Sequence, residues 1–148
     1  MADFVKVGAR TPNAAIYKSE SHKLHQAFPV KEGENIVQGQ PVKLNEDGTI
    51  SAYTGGEGEV YLGIAVTYSK HAAYPPTDEG VEVTVMMEAF ALTQGIAKSN
   101  VTSTGYVKTD GTLDEDGIYA NYESSDAETK FIAINTADAG DLVRVLIR

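Results

Sequence analysis

The stretch Gly39–Val66, GQPVKLNEDGTISAYTGGEGEVYLGIAV, breaks into short alternating runs separated by glycine turns. Val42 and Leu44 flank Lys43, and Ile50 and Ala52 alternate with Thr49, Ser51 and Tyr53. Alternation over a few residues is the pattern of a half-buried strand, with apolar side chains on one face and polar ones on the other. Between the two runs lies Asn45-Glu46-Asp47-Gly48, whose glycine takes the positive φ that a tight hairpin needs. A second turn, Thr54-Gly55-Gly56-Glu57-Gly58, leads into Tyr61-Leu62-Gly63-Ile64-Ala65-Val66. There the spacing puts Leu62, Ile64 and Val66 on one face, while Gly63 and Ala65 keep the opposite face low enough for close packing. Nothing in the stretch supplies a nucleophile, a phosphate cradle or a metal cluster. It reads as scaffold.

The rest of the chain extends this pattern. Residues 1–13, MADFVKVGARTPN, have no helical period and read as an extended N-terminal arm. Phe4, Val5 and Val7 are more apolar than a solvated tail needs, and suit strand addition to a partner's sheet edge. Residues 14–30 fit either helix or strand, with Pro29 stopping any helix. Lys70 to Gly80 is a loop containing Pro75-Pro76. Val81-Glu82-Val83-Thr84-Val85 alternates clearly, and a change of phase near Ala89-Phe90 suggests a β-bulge. Thr93 to Thr104 is small and polar, anchored by Ile96 and Val101. Further strands are expected at Tyr106–Lys108, Ile118–Tyr122, Phe131–Ile134 and Leu142–Ile147, each bounded by Gly, Asp, Ser or Asn. Short strands at this spacing predict an all-β fold, a compact β-sandwich or small barrel of antiparallel strands. The length of 148 residues suits a single domain over 14–148, large enough to need no metal or disulfide staple.

The second half echoes the first. Ile50 and Ala52 match Ile118 and Ala120, and Ile64-Ala65-Val66 matches Ile132-Ala133-Ile134, both at an offset of 68. Val42-Lys43 resembles Val107-Lys108 at 65, and Val81-Glu82-Val83 resembles Val143-Arg144-Val145 at 62. Changing offsets place the length differences in loops, where they are cheap. A repeat over 37–92 and 105–148 would give two related β-modules sharing one core. The rival explanation is chance similarity among valine-rich strands.

Composition narrows the chemistry. The absence of cysteine excludes disulfides, zinc ribbons and thiol catalysis. No apolar run reaches the roughly 20 residues of a membrane span, and the N-terminus has no apolar run of signal-peptide length. A net charge of −9 argues against a nucleic-acid partner. Residues 1–32 carry five basic and three acidic groups, while the other 116 carry seven and eighteen. A basic leader on an acidic body could steer docking to an acidic partner.

Candidate sites are sparse. His22 and His25 share a helical face only if the segment is a helix, and no third ligand lies near. His71 sits in the Lys70–Gly80 loop. Asn45-Glu46-Asp47-Gly48 and Asp114-Glu115-Asp116-Gly117 lack the ligands through position twelve of a calcium loop. Glu57 and Glu59 could suggest a carboxylate pair for glycoside chemistry, but they lie in a solvated glycine turn. No Walker loop, G-x-S-x-G or G-x-G-x-x-G is present. No cofactor and no enzymatic activity are expected. Eight tyrosines could line a sugar site, or cap the edges of the core.

The order Pro41-Val42-Lys43-Leu44, Thr49-Ile50-Ser51-Ala52-Tyr53, Leu62-Gly63-Ile64-Ala65-Val66 and Val81-Glu82-Val83-Thr84-Val85 resembles the head decoration proteins of tailed bacteriophages. Ala133-Ile134-Asn135-Thr136 and Gly140-Asp141-Leu142-Val143-Arg144-Val145 resemble the same frame. The resemblance implies a β-rich clip on the outer capsid surface of the virion, often trimeric, made in the host bacterial cytoplasm. Its partners would be the major capsid protein and itself, as a homotrimer, with no nucleic acid and no membrane. Phe4, Val5, Lys6, Val7 and Arg10 would form the capsid-binding arm. The alternative within this resemblance is the base of a head fibre or a host-surface adhesion module. The alternative outside it is a small β-barrel hydrolase or lyase using Glu57 and Glu59.

Overall fold

The structure, a computed structural model, describes residues 25–66, 82–87 and 90–148. The arm with Phe4, Val5, Lys6, Val7 and Arg10, the loop at 70–80, His22 and His71 lie outside the described residues. Every regular element described is a strand. In the first half these are β1 (His25–Pro29), β2 (Pro41–Leu44), β3 (Ile50–Ala52), β4 (Val60–Ala65) and β5 (Glu82–Met86). They form a sheet in the order β1-β5-β4-β2-β3. In the second half β6 (Leu92–Ala97), β7 (Tyr106–Lys108), β8 (Asn121–Ser124), β9 (Phe131–Ala133) and β10 (Leu142–Ile147) close a barrel. The fold is all-β, and its second half takes the barrel form.

Read around the barrel, the order is β6-β10-β9-β7-β8, with β8 returning to β6 through a parallel pair. This is the order of the first sheet with each strand moved on by five. The first sheet also curls towards closure, through a parallel bridge between Val30 and Ile50. The Lys31 amide donates to the Ile50 carbonyl at 3.0 Å, and in the barrel the Lys98 amide donates to the Tyr122 carbonyl at 2.6 Å. Other hydrogen bonds recur in the same places. Ala65 N to Gln40 O is matched by Ala133 N to Gly105 O, at 2.9 Å in both. Gly39 N to Ala65 O is matched by Thr104 N to Ala133 O. Val66 N to Thr84 O is matched by Ile134 N to Arg144 O, and Tyr53 N to Pro41 O by Ser125 N to Tyr106 O.

These bonds set the correspondence residue by residue. The offsets of 65 for Val42 and 68 for Ile64 agree with those read in the sequence. Two others differ. Val83 and Val85 correspond to Val143 and Val145, an offset of 60 where 62 was expected. Ile50 corresponds to Tyr122 and not to Ile118, because the loop before β8 is longer than the one before β3. Each of the six buried residues in the first core, Ile36, Val42, Ile50, Ala65, Val83 and Val85, has its counterpart in the second: Val101, Val107, Tyr122, Ala133, Val143 and Val145.

Several local expectations are corrected. A β-bulge lies in β4, while the one expected near Ala89-Phe90 falls where Ala89 lies outside the described residues. Val42 faces Gly63 while Lys43 faces Tyr61, so Leu62 is the extra residue. A bulge inverts the alternation beyond it. Leu62 and Ala65 therefore pack with the first core, while Tyr61 and Ile64 pack with the second, and Leu62 and Ile64 do not share a face. Phe90 lies in the connection between β5 and β6, so the phase change there marks a passage between units. Ser51 is buried, contrary to its polar-face assignment, because both faces of β3 are covered; the Asn45 side-chain amide donates to its hydroxyl at 2.9 Å. The stretch from Thr93 is strand β6, because Gly95 lets it run against Tyr122. Ile118 lies in a turn ahead of β8, where its amide donates to Asp114 Oδ1 at 2.8 Å.

The two units meet through aromatic rings. Tyr53 and Tyr61 from the first stand edge-on to each other at 5.2 Å, and each stands edge-on to Phe131 of the second at 6.0 Å. Such contacts contribute about 0.5–1.5 kcal/mol each beyond area burial. Lys130 Nζ lies 4.7 Å from the Tyr61 ring centre, and Thr93 Oγ1 donates to the Gly39 carbonyl at 2.6 Å.

Candidate functional site

The most unusual surface follows from the alternation of β6, β9 and β10. In β10, Val143, Val145 and Ile147 are buried in the barrel, so Leu142, Arg144 and Leu146 point outwards. In β9, Phe131 and Ala133 are buried and Ile132 points out. In β6, Gly95 and Ala97 are buried, leaving Leu92, Gln94 and Ile96 on the outside. The register sets these outer residues in rows. Leu146 sits between Ile132 and Leu92, Arg144 faces Gln94, and Leu142 faces Ile96. Leu92, Leu142 and Ile134 are exposed. An exposed contiguous apolar patch on a small protein marks an interaction site more often than chance exposure does.

Beside this face runs a groove of 930 Å³. One wall is Asn35 to Gly39 of the first unit; the other is Leu92, Thr93, Gln94, Ile134 and Arg144 of the barrel, with the Gly117–Tyr119 turn at one side. Ile118 projects from that turn and is exposed. The wall at Val37 is fixed locally: its amide donates to Gln40 Oε1 at 3.0 Å.

Asp47, Asp114 and Glu59 are engaged in their own turns. Asp47 Oδ1 accepts from the Thr49 hydroxyl at 2.6 Å and amide at 3.0 Å, and these bonds hold its carboxyl below the usual range. Asp114 Oδ1 accepts the Ile118 and Tyr119 amides. Glu59 accepts from the Thr54 amide and hydroxyl and pairs with Lys43 at 3.4 Å. Partial burial raises the Glu59 carboxyl, but the Thr54 bonds and Lys43 together outweigh it and lower the pKa. Glu57 is exposed and is not brought into a pair with it. Among the described residues no group of three or more His, Asp or Glu is placed to hold a metal ion. His25 lies at the start of strand β1, and His22 lies outside the described residues.

The described tyrosines are packed in place. Tyr122 fills the barrel core, and burial pushes its phenol far up. Tyr61 is raised for the same reason, with Tyr53 beside it contributing. Tyr106 lies under the Arg148 guanidinium, which pairs with Glu128 at 2.6 Å. Sequence reasoning missed the apolar outer face. Its signal was present in Leu142-Val143-Arg144-Val145-Leu146-Ile147, where the positions between core valines carry leucine as well as arginine. A strand apolar on both sides is covered on both sides or meets a partner.

The described strands, the carboxylates tied into turns and the apolar outer face suit contact with a partner surface. Comparison with known proteins agrees. A family model for the structural cement protein of phages (E217 gp24/Pam3 gp6) matches residues 7–148. The chain belongs to this phage cement family. As a cement protein it is a structural component of the virion, associated with the capsid. The family is structural, in keeping with a non-enzymatic role. Among solved structures, the head fibre gp8.5 N base of bacteriophage phi29 is similar, with a TM-score of 0.53 and 21% identity over 84% of this chain and 94% of that one. That likeness places the fold in known company. No curated protein matches the sequence. No helix among the described residues is long and apolar enough to cross a membrane.

Proposed function

We propose that this cement protein clips the major capsid protein of the assembled shell as a homotrimer, without any catalytic step. The observation that carries the reading is the family match across residues 7–148. The body, residues 14–148, consists on this reading of two copies of one five-stranded module, and the recurring hydrogen bonds support that. Phe4, Val5, Lys6, Val7 and Arg10 form the arm that reaches a capsid subunit. Their mixture of apolar and basic side chains suits strand addition to a sheet edge under acidic groups. A clip stabilises the shell by binding the mature lattice more tightly than the precursor, and its effect is set by that difference in affinity.

The test is binding of purified protein to mature heads. Full-length protein should co-sediment with heads and raise their temperature of rupture. Deleting residues 1–12 should abolish co-sedimentation while the β-sheet circular dichroism signal stays intact. Retained binding after that deletion removes the arm from the mechanism.

A second reading, the base of a head fibre, draws on the likeness to the phi29 head fibre base. It expects a further protein seated on this one, and tyrosine-bearing loops that touch host glycans. Glycan-array binding and a distal position in labelled virions would favour it over the clip.

A further inference from the structure

We propose that the outer face of the second barrel, centred on Leu92, Ile134, Leu142 and Leu146, is the surface on which another copy of this chain docks. The inference deepens the proposed homotrimer by naming its contact, and rests on that reading.

The comparison of equivalent positions is the basis. In the first unit the outer row is Ile64, Met86 and His25, aligned by the pairs Ile64–Met86 and His25–Met86. In the second unit the same row is Ile132, Leu146 and Leu92. The first row is covered: Ile64 is 4% exposed, and it and Met86 pack with the core of the second barrel. The second row ends at Leu92, which is 66% exposed. The contact that buries the face once is therefore made inside the chain, while the same strands in the second barrel present it again without a cover among the described residues.

The flanking positions sharpen the contrast. Where the first unit has Pro29 and Glu82 facing outwards, the second has Ile96 and Leu142. Both Glu82 and Leu142 are exposed. A position left in water carries glutamate in one unit; its counterpart carries leucine, and that leucine is continuous with the exposed Leu92 and Ile134. A contiguous apolar face of this kind marks an interaction site.

A second copy is the occupant because the chain already contains one solution to this packing problem: a barrel of the same construction laid against the same strands. The groove beside the face gives the incoming copy a recess bounded by Leu92, Ile134 and Arg144. Because the contact inside the chain joins unlike surfaces, its repetition between chains is head-to-tail, and the proposed homotrimer requires that three such contacts close as a ring.

The experiment is the solution mass of the full chain by light scattering. Wild type should run as a closed oligomer, and the double variant Leu92→Asp/Leu142→Asp should fall to monomer, with affinity at least tenfold weaker and an unchanged β-sheet circular dichroism signal. Val60→Asp, at an exposed apolar residue elsewhere, should leave the mass unaltered. The native chain has no cysteine, so Leu92→Cys and Leu142→Cys give clean cross-linking sites. A short bis-maleimide should join chains through these and not through Val60→Cys. A monomeric wild type overturns the proposal, and if that monomer still binds heads the cement reading stands alone. An unchanged mass in the double variant also overturns it. So does a double variant that keeps its mass but loses heads, which would assign the face to the capsid.

Discussion

The two units, an open sheet and a closed barrel, share a frame of hydrogen bonds and fill it differently. Phe28 in β1 faces Val83, and its counterpart Gly95 in β6 faces Val143. Phe28 packs against the core that contains Ile50; Gly95 lies under Tyr122, the counterpart of Ile50. One unit thus takes its bulk from the outer strand and the other from the strand it closes upon. The backbone pattern is kept while volume moves across the core from one wall to the other. Interiors are packed densely enough that such a trade must be made in pairs.

The largest effect should come from emptying the second barrel. Tyr122 is fully buried, and Tyr122→Ala should cost about 3–5 kcal/mol. Phe28 is only half-buried, so Phe28→Ala should cost less, under about 3 kcal/mol. Urea unfolding of both variants tests the asymmetry, and equal losses would break the claim that bulk is moved between walls. The Tyr122 hydroxyl is buried with no partner among the described residues. Tyr122→Phe should therefore hold or raise stability, by up to about 1 kcal/mol, since an unsatisfied hydroxyl is removed.

Adding a methyl at Gly95 approaches the same core from the other side. Its Cβ would lie 2.4 Å from the Ala120 carbonyl oxygen and 2.6 Å from the Tyr122 ring. Gly95→Ala should cost about 1–3 kcal/mol by overpacking. Combining it with Tyr122→Leu should recover only the part due to the ring, because the carbonyl is backbone. Full recovery in the double variant, read by the same unfolding curves, would show that the strand can move away as a body.

A smaller difference sits at Gly39 and Thr104, which occupy the same place before β2 and β7. Both have positive φ, 86° and 74°. A threonine there is strained by roughly 1–2 kcal/mol. Thr104→Gly should change stability by less than about 1 kcal/mol, since strain relief is offset by the entropy glycine loses on folding. Gly39→Thr should cost more, because its Cβ would also stand 3.0 Å from Thr93 Oγ1 at the junction of the units. Thermal midpoints of the two variants order these effects.

The sequence carried the strand class plainly, because alternation and glycine turns are local signals. It also aligned Val42 with Val107 and Ile64 with Ile132, which hold like places in the pairing of the two halves. What it hid was anything set by pairing across space. The bulge at Leu62 reverses the facing of the residues beyond it, and no feature of the strand itself announces the extra residue. Ile118 looked like the partner of Ile50 because both precede a small residue by two, yet closure uses Tyr122. The turn that holds Ile118 depends on Asp114, four residues earlier, accepting its amide. The apolar outer face was masked by the core valines between its members: a run apolar on both sides reads as one strong strand, and only register separates its two surfaces.

The smallest expected effect distinguishes two aspartates that serve similar turns. Asp47 bonds Thr49 in the first unit, and Asp110 bonds the Thr112 amide at 2.9 Å and hydroxyl at 2.5 Å in the second. Asp110 also pairs with Lys98 at 3.2 Å. Partial burial raises the Asp110 carboxyl, but the Thr112 bonds and Lys98 outweigh this and bring it from the ordinary 3.8 to about 2. A carboxyl depressed on folding contributes stability above its unfolded pKa, and that contribution is lost as pH falls through the folded value. The loss for Asp110 should thus occupy the window from about 4 down to about 2. Thermal midpoints taken across that window should fall less steeply in Asp110→Asn than in wild type. Asp47→Asn should flatten the slope to a lesser degree, because Lys31 is only the least of the influences on the Asp47 carboxyl and Asp47 lies open to water, where screening weakens its bonds. Equal slopes in the two variants would show that the Lys98 pair adds nothing and that the two turns are electrostatically the same.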